Sequence, residues 1–374
     1  MAIVRHRSSA VPLAWLYAAL IVYASLYPFA GWRVPGTGPL DFLLARSGGW
    51  TWFDFISNLL GYLPIGFLLF VALVRSGRRA GAAAWTALLG GLMLSFTLEL
   101  LQNYLPRRVS SSLDLLLNAG GAALGVGIGL LLESRGGIER WQMMRERWFV
   151  AHSAGGLALL LLWPIGLLFP TAVPFGLGHV LGRVQPLLAE VLQGTPGESW
   201  TAGWTDAAAA ALDRGTLSAA SELSIIVLGL LAPCLVAFTI AVPGWRRSAL
   251  VVGAGGLGVA ATTLSTALNF GPQHALAWTT AQAVQGVLVG LAAAALLSLV
   301  PRRVAAGFGL ITLTALVMLV ARAPADPYFA QSLQSWEQGR FIRFHGAAQW
   351  VGWIWPYAAL CYLLARLAAR DPNR

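Results

Sequence analysis

The sequence predicts an all-α fold, a polytopic integral membrane helical bundle with about ten transmembrane helices and with both termini in the cytoplasm. The chain has 374 residues, of which 57% are hydrophobic and 11% are charged, whereas a soluble domain carries about 25% charged residues. Apolar stretches of roughly 20 residues, long enough to cross a bilayer core as helices, recur along the whole chain. As a third observation, the arginines concentrate in alternate connections between these stretches.

Ten apolar stretches are candidate spans, and the first is interpreted as a retained helix because it lacks a small-residue cleavage site. In chain order, the predicted spans are residues 11–29, 55–74, 81–104, 112–133, 152–171, 222–242, 248–268, 277–300, 304–321 and 346–366. Of the 25 basic residues, all of them Arg, 16 fall in short segments on the side of the N-terminus. The positive-inside rule assigns that side to the cytoplasm. Topology therefore explains the net charge of +10, and no nucleic-acid partner is expected.

A charged segment at residues 134–150 predicts a cytoplasmic linker between two modules. Residues 1–133 hold the first four spans, and residues 151–374 hold the other six. The second module carries a long outer loop at residues 172–221. Apolar residues recur at helical spacing over residues 177–192 of this loop, which predicts an amphipathic helix at the outer surface.

A polar pattern, D-x3-N-x2-G, opens both the second and the fourth span. Its two copies are Asp54, Asn58 and Gly61 in the second span and Asp114, Asn118 and Gly121 in the fourth. Positions i, i+4 and i+7 share one face of a helix, so each copy forms a polar stripe. Both spans run from outside to inside in the predicted topology, which makes the pattern a candidate parallel repeat. A second stripe, of Gly121, Gly125 and Gly129, predicts close helix packing.

The third span brings further polar side chains to the same outer end. Glu99 and Gln102 share a face near the end of that span, and Arg107 and Arg108 follow on the connection to the fourth span. A carboxylate inside a membrane helix is costly unless it is paired or has a task, and the two arginines are the candidate partners of Glu99. The predicted polar cluster comprises Asp54, Asn58, Glu99, Gln102, Arg107, Arg108, Asp114 and Asn118.

Two interpretations of this cluster stay open. In the architectural interpretation, Asp54 and Asp114 cap helix N-termini, the amides bond between helices, and the Glu–Arg pairs fix the packing. In the functional interpretation, the cluster is a polar pocket open to the outer leaflet or the periplasm. It would bind a headgroup, a glycan or a phosphate, with Arg107 and Arg108 as the contacts to an anion.

No metal site and no cofactor are expected. The five histidines show no ligand spacing with one another, with cysteine or with acidic residues, and each, including His179 in the outer loop, is expected to be exposed or interfacial. Cys234 and Cys361 lie singly in apolar spans and predict neither a disulfide nor a metal ligand. The expected partners are membrane lipids, and the sequence predicts no oligomeric state.

The N-terminal module resembles the VanZ-like family over about residues 11–133. The resemblance rests on Tyr27-Pro28-Phe29, the stretch from Asp54 to Gly66, Ser95 with Glu99 and Gln102, Arg107 or Arg108, and the second D-x3-N-x2-G helix. Tyr62 stands where that family often has Phe. The resemblance implies a multi-pass protein of the bacterial inner (cytoplasmic) membrane that acts at the cell envelope. The family is named for an accessory protein of glycopeptide-antibiotic resistance, linked to teicoplanin susceptibility.

The resulting hypothesis is a non-enzymatic envelope protein whose outer-facing polar site binds a lipid-linked or glycan component, such as a cell-wall precursor. One alternative is a lipid or polysaccharide transporter or flippase component. Against it, spans five to ten carry no acidic residue away from their outer ends. The other alternative is a membrane enzyme acting on a lipid-linked substrate, with Glu99 or Asp114 as acid or base. Against it, the sequence offers no clear nucleophile, and its catalytic residues are unknown.

Overall fold

The computed structural model describes residues 10–27, 29–34, 36, 38, 40–43, 52–106, 110–199, 217–323 and 342–369, without the side chains of residues 53–54, 181–183, 185–187 and 342–345. The described segments form α-helices, with two short 3₁₀ turns at Asp41–Leu43 and Pro272–His274. In chain order the helices are α1 (Ala10–Leu26), α2 (Trp52–Arg75), α3 (Ala80–Gln102), α4 (Ser112–Ser134), α5 (Gly137–Trp148), α6 (Ala154–Leu167), α7 (Leu181–Leu192), α8 (Ala219–Ile240), α9 (Trp245–Phe270), α10 (Ala281–Leu297), α11 (Arg302–Val320) and α12 (Ile342–Ala368).

The polytopic membrane helical bundle predicted from the sequence is confirmed. Seven described helices are long and apolar enough to cross a membrane, namely α2, α3, α4, α8, α9, α11 and α12. Three more, α1, α6 and α10, are apolar but shorter. Each of these ten helices coincides with one predicted span to within a few residues. The number of actual crossings and the cytoplasmic position of the termini stay predictions.

The chain divides into two compact units, Met1–Arg147 and Trp148–Arg374, called unit 1 and unit 2 below. The boundary falls inside the charged segment 134–150. Most of that segment is helix α5, which buries none of its side chains. Arg75 at the end of α2 donates a hydrogen bond to Gln142 of α5, so the charged helix is attached to the rest of unit 1.

Unit 1 is built around α2 and α4, whose backbones touch at glycines. A Cβ atom at Gly121 would lie 2.1 Å from the carbonyl oxygen of Leu59, and one at Gly125 would lie 2.0 Å from that of Leu63. No side chain fits in that space, so the close packing predicted from the glycine stripe is confirmed. Because the contacts advance together along both helices, α2 and α4 run parallel, as the repeat predicts. Gly61 has open space around it, so the two copies of the pattern pack differently.

Helices α1 and α3 complete unit 1 on the flanks of this pair. One apolar cluster joins them to α2, and its buried members are Ala14, Ile21, Leu26, Tyr62, Ile65, Leu98 and Leu105. Tyr17 of α1 donates its hydroxyl to the Gly61 carbonyl at 3.0 Å. The polar start of α2 is therefore held by α1 as well as by α4.

Unit 2 is organised around α8. Every residue from Gly229 to Ile240 is buried, as expected for a helix whose sequence is apolar on every face. Helices α6, α9, α10, α11 and α12 pack around it. The central position of α8 explains why its sequence carries no polar stripe like those of α2 and α4.

A segment without regular secondary structure, residues 168–180, enters the interior of unit 2. Phe175 is 1% exposed, and a Cβ atom at Gly229 of α8 would lie 2.3 Å from the Phe175 carbonyl oxygen. The Gly178 N–H donates to the Gly352 carbonyl of α12 at 3.1 Å. Irregular backbone among membrane helices is tolerated where protein groups satisfy its hydrogen bonds, and here the neighbouring helices do so.

This segment corrects the helix predicted for residues 177–192. The observed helix α7 begins at Leu181, and Leu177 belongs to the irregular interior segment, where it is 2% exposed. His179 is half-buried, and burial lowers the pKa of its imidazole to about 4. The apolar spacing continues across the true helix start because a buried irregular segment also needs apolar side chains. Residues 200–216 of the predicted outer loop lie outside the described residues.

Candidate functional site

The polar cluster predicted from the sequence lies where α2 and α4 begin and α3 ends. Five of its eight residues have described side chains, and these are Asn58, Glu99, Gln102, Asp114 and Asn118. Asp54 belongs to the first turn of α2, but its side chain lies outside the description. Arg107 and Arg108 lie outside the described residues, so their pairing with Glu99 stays a prediction.

Asn58 and Asp114 join the two copies of the D-x3-N-x2-G pattern. The side-chain amide of Asn58 donates to a carboxylate oxygen of Asp114, and both side chains are half-buried. Asp114 lies in the first turn of α4, where a negative charge favours the helix dipole. The N-cap itself is Ser111, whose hydroxyl accepts the Leu113 N–H at 3.2 Å. The capping role expected for Asp114 is therefore filled by a serine.

Asn118 lies one turn deeper in α4 and is 5% exposed. Its side-chain nitrogen donates to the Ser95 hydroxyl of α3 at 3.0 Å. Its side-chain oxygen, Oδ1, is buried and has no hydrogen-bond partner within the described part of the chain. Leaving a buried acceptor unsatisfied costs about 1–3 kcal/mol. This oxygen is therefore able to accept a hydrogen bond from a bound group.

Two residues outside the predicted set, Ser95 and Tyr62, complete the cluster. Ser95 is fully buried, and its side chain lies close to that of Tyr62 of α2. Each stands one helical turn from a predicted residue, Ser95 before Glu99 and Tyr62 after Asn58. That i, i+4 spacing is the signal by which sequence reasoning could have found them. We call the set Asn58, Asp114, Asn118, Ser95 and Tyr62 the polar seam.

Glu99 and Gln102 have partners that fix the packing of α3. Glu99 is 4% exposed, and its carboxylate accepts the Ser111 backbone N–H at 3.1 Å. The backbone carbonyl of Glu99 accepts the Ser110 hydroxyl at 2.7 Å, so the end of α3 is bound to the start of α4. Gln102 donates to the Ser25 carbonyl at 3.0 Å, which binds α3 to α1. The architectural interpretation describes these two residues well.

The polar seam has the chemistry of a hydrogen-bonding site. It leads from the half-buried Asn58–Asp114 pair to the buried oxygen of Asn118, and it offers amide, hydroxyl and carboxylate groups. Such groups bind molecules that both donate and accept hydrogen bonds, sugar hydroxyls and amides among them. Across the described segments, no three His, Cys, Asp or Glu side chains come close enough to hold a metal ion.

Unit 2 contains a small pocket beside its irregular segment. Its lining includes Gly166, Gly178, His179 and Trp353. The space takes about one water molecule, which is far smaller than an ordinary ligand pocket. The pocket is therefore a packing feature, and the polar seam of unit 1 is the better candidate site.

Comparison with known proteins bears on unit 1. Residues 9–133 match the family model described as VanZ/LLP1. The match includes α1 to α4 and every residue of the predicted cluster. No curated protein and no solved structure gives a significant match. The motifs, the packed helices and the family match agree, and the N-terminal third of this chain is a VanZ-like membrane module.

Proposed function

We propose that the polar seam of the VanZ-like module binds the polar part of a lipid-linked or glycan component of the bacterial cell envelope, without catalysing a reaction. The observation that carries the proposal is Oδ1 of Asn118, a buried acceptor that no described residue satisfies. Polar side chains within membrane helices are costly, so a buried polar atom without a partner is a candidate ligand contact. A purely architectural cluster would satisfy its members, as the described partners of Glu99 and Gln102 do.

The burial of the seam residues favours a ligand with an apolar tail and a polar head. Asn58 and Asp114 are half-buried, and Asn118, one helical turn further along α4, is buried. A lipid-linked glycan would keep its tail in the bilayer and place sugar hydroxyls between these amides. The predicted topology opens the entrance to the outer leaflet, where such components are used. A phosphate linker would be held by Arg107 and Arg108, since guanidinium groups bind phosphate through paired donors.

The envelope location and any link to glycopeptide (teicoplanin) susceptibility enter this proposal through the family resemblance. A transporter or flippase component and a membrane enzyme remain the alternatives. The enzyme alternative would use Glu99 or Asp114 as acid or base. The hydrogen bonds of these two carboxylates argue against the enzyme alternative, because Glu99 accepts the Ser111 N–H and Asp114 accepts the Asn58 amide.

A binding titration with a defined probe tests the proposal. The full-length protein in lipid nanodiscs is titrated with a polyprenyl-pyrophosphate-linked disaccharide, and tryptophan fluorescence reports binding. The Asp114→Asn variant keeps a hydrogen-bond acceptor for Asn58 but loses the charge, so we expect about tenfold weaker binding. The matched control is Glu133→Gln, which removes a carboxylate at the opposite end of α4 and should bind as the wild type does.

Each outcome of the titration has a defined meaning. Absence of probe binding to the wild type, or equal affinities of Asp114→Asn and Glu133→Gln, would contradict the proposal. A polyprenyl phosphate without sugar is the second probe. If it binds as tightly as the glycan-linked probe, the site recognises the phosphate and glycan recognition is excluded.

A further inference from the structure

Helix α5 is held at the level where the membrane helices of unit 1 end. Only Arg135 and Gly136 separate its first residue from the last residue of α4, so it begins where a membrane helix ends. Ile138, in its first turn, packs against a buried apolar cluster that α2, α3 and α4 share. Gln142, one turn further along, accepts a hydrogen bond from Arg75, the last residue of α2. The first two turns of α5 therefore lie against the ends of these membrane helices.

The helix leaves apolar side chains uncovered at this level. None of its residues is buried, and Trp141 is 60% exposed and Met144 46% exposed. Residues three apart are neighbours on a helix surface, so these two side chains form one face, called the apolar face of α5 below. Such a face on a helix at membrane level is typical of an amphipathic helix that lies in the bilayer interface.

The charged side chains of α5 are separated by sign around the apolar face. At 3.6 residues per turn, Arg140 and Arg147 lie about 80° from the middle of the face, whereas Glu139 and Glu146 lie about 170° from it. All four side chains are exposed. A surface that covers the apolar face would therefore meet guanidinium groups at its border, while the carboxylates point away from it. This arrangement is complementary to an anionic surface.

The whole end of unit 1 has the same sign of charge. Residues 75–80 and 133–147, which form the connection between α2 and α3, the end of α4 and most of α5, contain seven Arg and three Glu. The positive-inside rule assigns this end to the cytoplasm. The cytoplasmic leaflet carries anionic lipids, whose negative surface potential attracts basic segments beside membrane helices.

We propose that α5 docks on the surface of an anionic phospholipid leaflet next to unit 1. Trp141 and Met144 enter the boundary between headgroups and acyl chains, and Arg140 and Arg147 contact lipid phosphates. Arg140 also donates to the Arg135 carbonyl, a neutral acceptor that leaves its positive charge in place. The inference concerns the end of unit 1 opposite the polar seam, so it does not depend on the function proposed for the seam.

Amide hydrogen exchange of the full-length protein in lipid nanodiscs tests this inference. One set of nanodiscs contains phosphatidylcholine alone, and the other contains phosphatidylcholine mixed with phosphatidylglycerol, which adds negative charge. We expect the α5 amides to exchange at least about tenfold more slowly in the mixed nanodiscs, since two arginines near an anionic surface each contribute about fivefold. The double variant Arg140→Gln, Arg147→Gln should abolish most of the difference between the two lipid compositions.

A matched pair of substitutions tests the apolar face itself. Met143 and Met144 are adjacent and similarly exposed, at 52% and 46%, but Met143 lies about 130° from the middle of the face. In Met144→Asp the new carboxylate would enter the interface beside lipid phosphates, so the α5 amides should exchange about tenfold faster than in the wild type in mixed nanodiscs. Met143→Asp, the control, should change the exchange rate by less than about twofold.

Three results would overturn the inference. These are equal exchange in the two lipid compositions, equal effects of the two aspartate substitutions, and protection of α5 only in native membranes that retain their peripheral proteins. The last result would assign the apolar face to a protein partner. If Met144→Asp fails to fold, Trp141→Ala replaces it. That variant should also speed exchange of the α5 amides in mixed nanodiscs, and unchanged exchange would again overturn the inference.

Discussion

The two units bury polar groups in opposite ways. In unit 1, amides, hydroxyls and the carboxylate of Asp114 from three helices line the polar seam, yet Oδ1 of Asn118 has no described partner. In unit 2, the full charge of Arg247 is buried, yet its terminal nitrogens donate to three backbone carbonyls. The comparison teaches that burial of a polar side chain does not by itself mark a binding site. Nε of Arg247 is also buried without a described partner, but its bonded terminal nitrogens join helix ends, whereas the unsatisfied oxygen of Asn118 has bonding capacity left for a ligand.

The largest effect is expected when the guanidinium group of Arg247 is removed. The Arg247→Met variant leaves the carbonyls of Phe238, Ser298 and Val300 without their donor, so we expect a loss of about 4 kcal/mol in the free energy of unfolding. Thermal unfolding in detergent, followed by tryptophan fluorescence, measures it. The control is Arg246→Met, at the half-buried neighbour, with an expected loss below about 1 kcal/mol. Similar melting temperatures for the two variants would contradict the role assigned to Arg247.

The next effect concerns backbone contacts, which both units make at glycines. In the Gly125→Ala variant the new methyl group would lie 2.0 Å from the Leu63 carbonyl oxygen. We expect a loss of about 3 kcal/mol, because α2 and α4 must separate. The matched control is Gly127→Ala, two residues further along α4, where a Cβ atom meets nothing within 4 Å. The control should be neutral or slightly stabilising, and an equal loss in both variants would show that the glycine contact is unimportant.

A pH titration tests the interior segment of unit 2. Burial lowers the pKa of His179 to about 4, below the value of about 6.5 for an unfolded chain. The neutral imidazole is therefore favoured in the fold, and its stabilisation is complete above about pH 6.5. As the pH falls towards 4, up to about 3 kcal/mol is lost.

The His179→Gln variant isolates this contribution from carboxylates such as Glu99. Its melting temperature should fall less than that of the wild type between pH 7.5 and pH 4.5. The same decrease in both proteins would show that the pKa of His179 is not lowered in the fold.

The smallest change in stability is expected in the polar seam. The Asn118→Leu variant loses the bond to Ser95 but also removes the unsatisfied oxygen. We expect the free energy of unfolding to change by less than about 1 kcal/mol, while binding of the glycan-linked probe is lost. Unfolding and probe titration on one preparation provide both measurements. A loss of several kcal/mol in the free energy of unfolding would show that Asn118, like Arg247, has an architectural role.

Much of the fold follows from the sequence, because long apolar stretches identify membrane helices. The parallel packing of α2 and α4 was also predictable, since the Gly121, Gly125 and Gly129 stripe leaves room for a backbone. The hydrogen-bond partners within the polar seam could not be predicted, because they depend on the register between helices. Thus Asn58 bonds Asp114 of the other copy, and Asn118 bonds Ser95. A serine carries too little sequence signal to be assigned to a site alone.

Two features of unit 2 were beyond sequence reasoning for other reasons. The irregular segment 168–180 needs the same apolar residues as a helix, so their spacing does not distinguish the two. From the sequence, Arg247 contributes only to the charge pattern that predicts the topology. A count of charges treats all loop arginines alike, and it cannot show that Arg247 turns inward to reach helix ends.

The interior segment of unit 2 also sets an order of events during synthesis. Its Gly178 N–H finds its acceptor in Gly352, about 170 residues later in the chain. The Trp355 indole closes the same unit by donating to the Leu159 carbonyl, 196 residues earlier. Unfilled backbone hydrogen bonds are costly in a bilayer. We therefore expect the interior segment of unit 2 to complete its packing only after α12 has been synthesised.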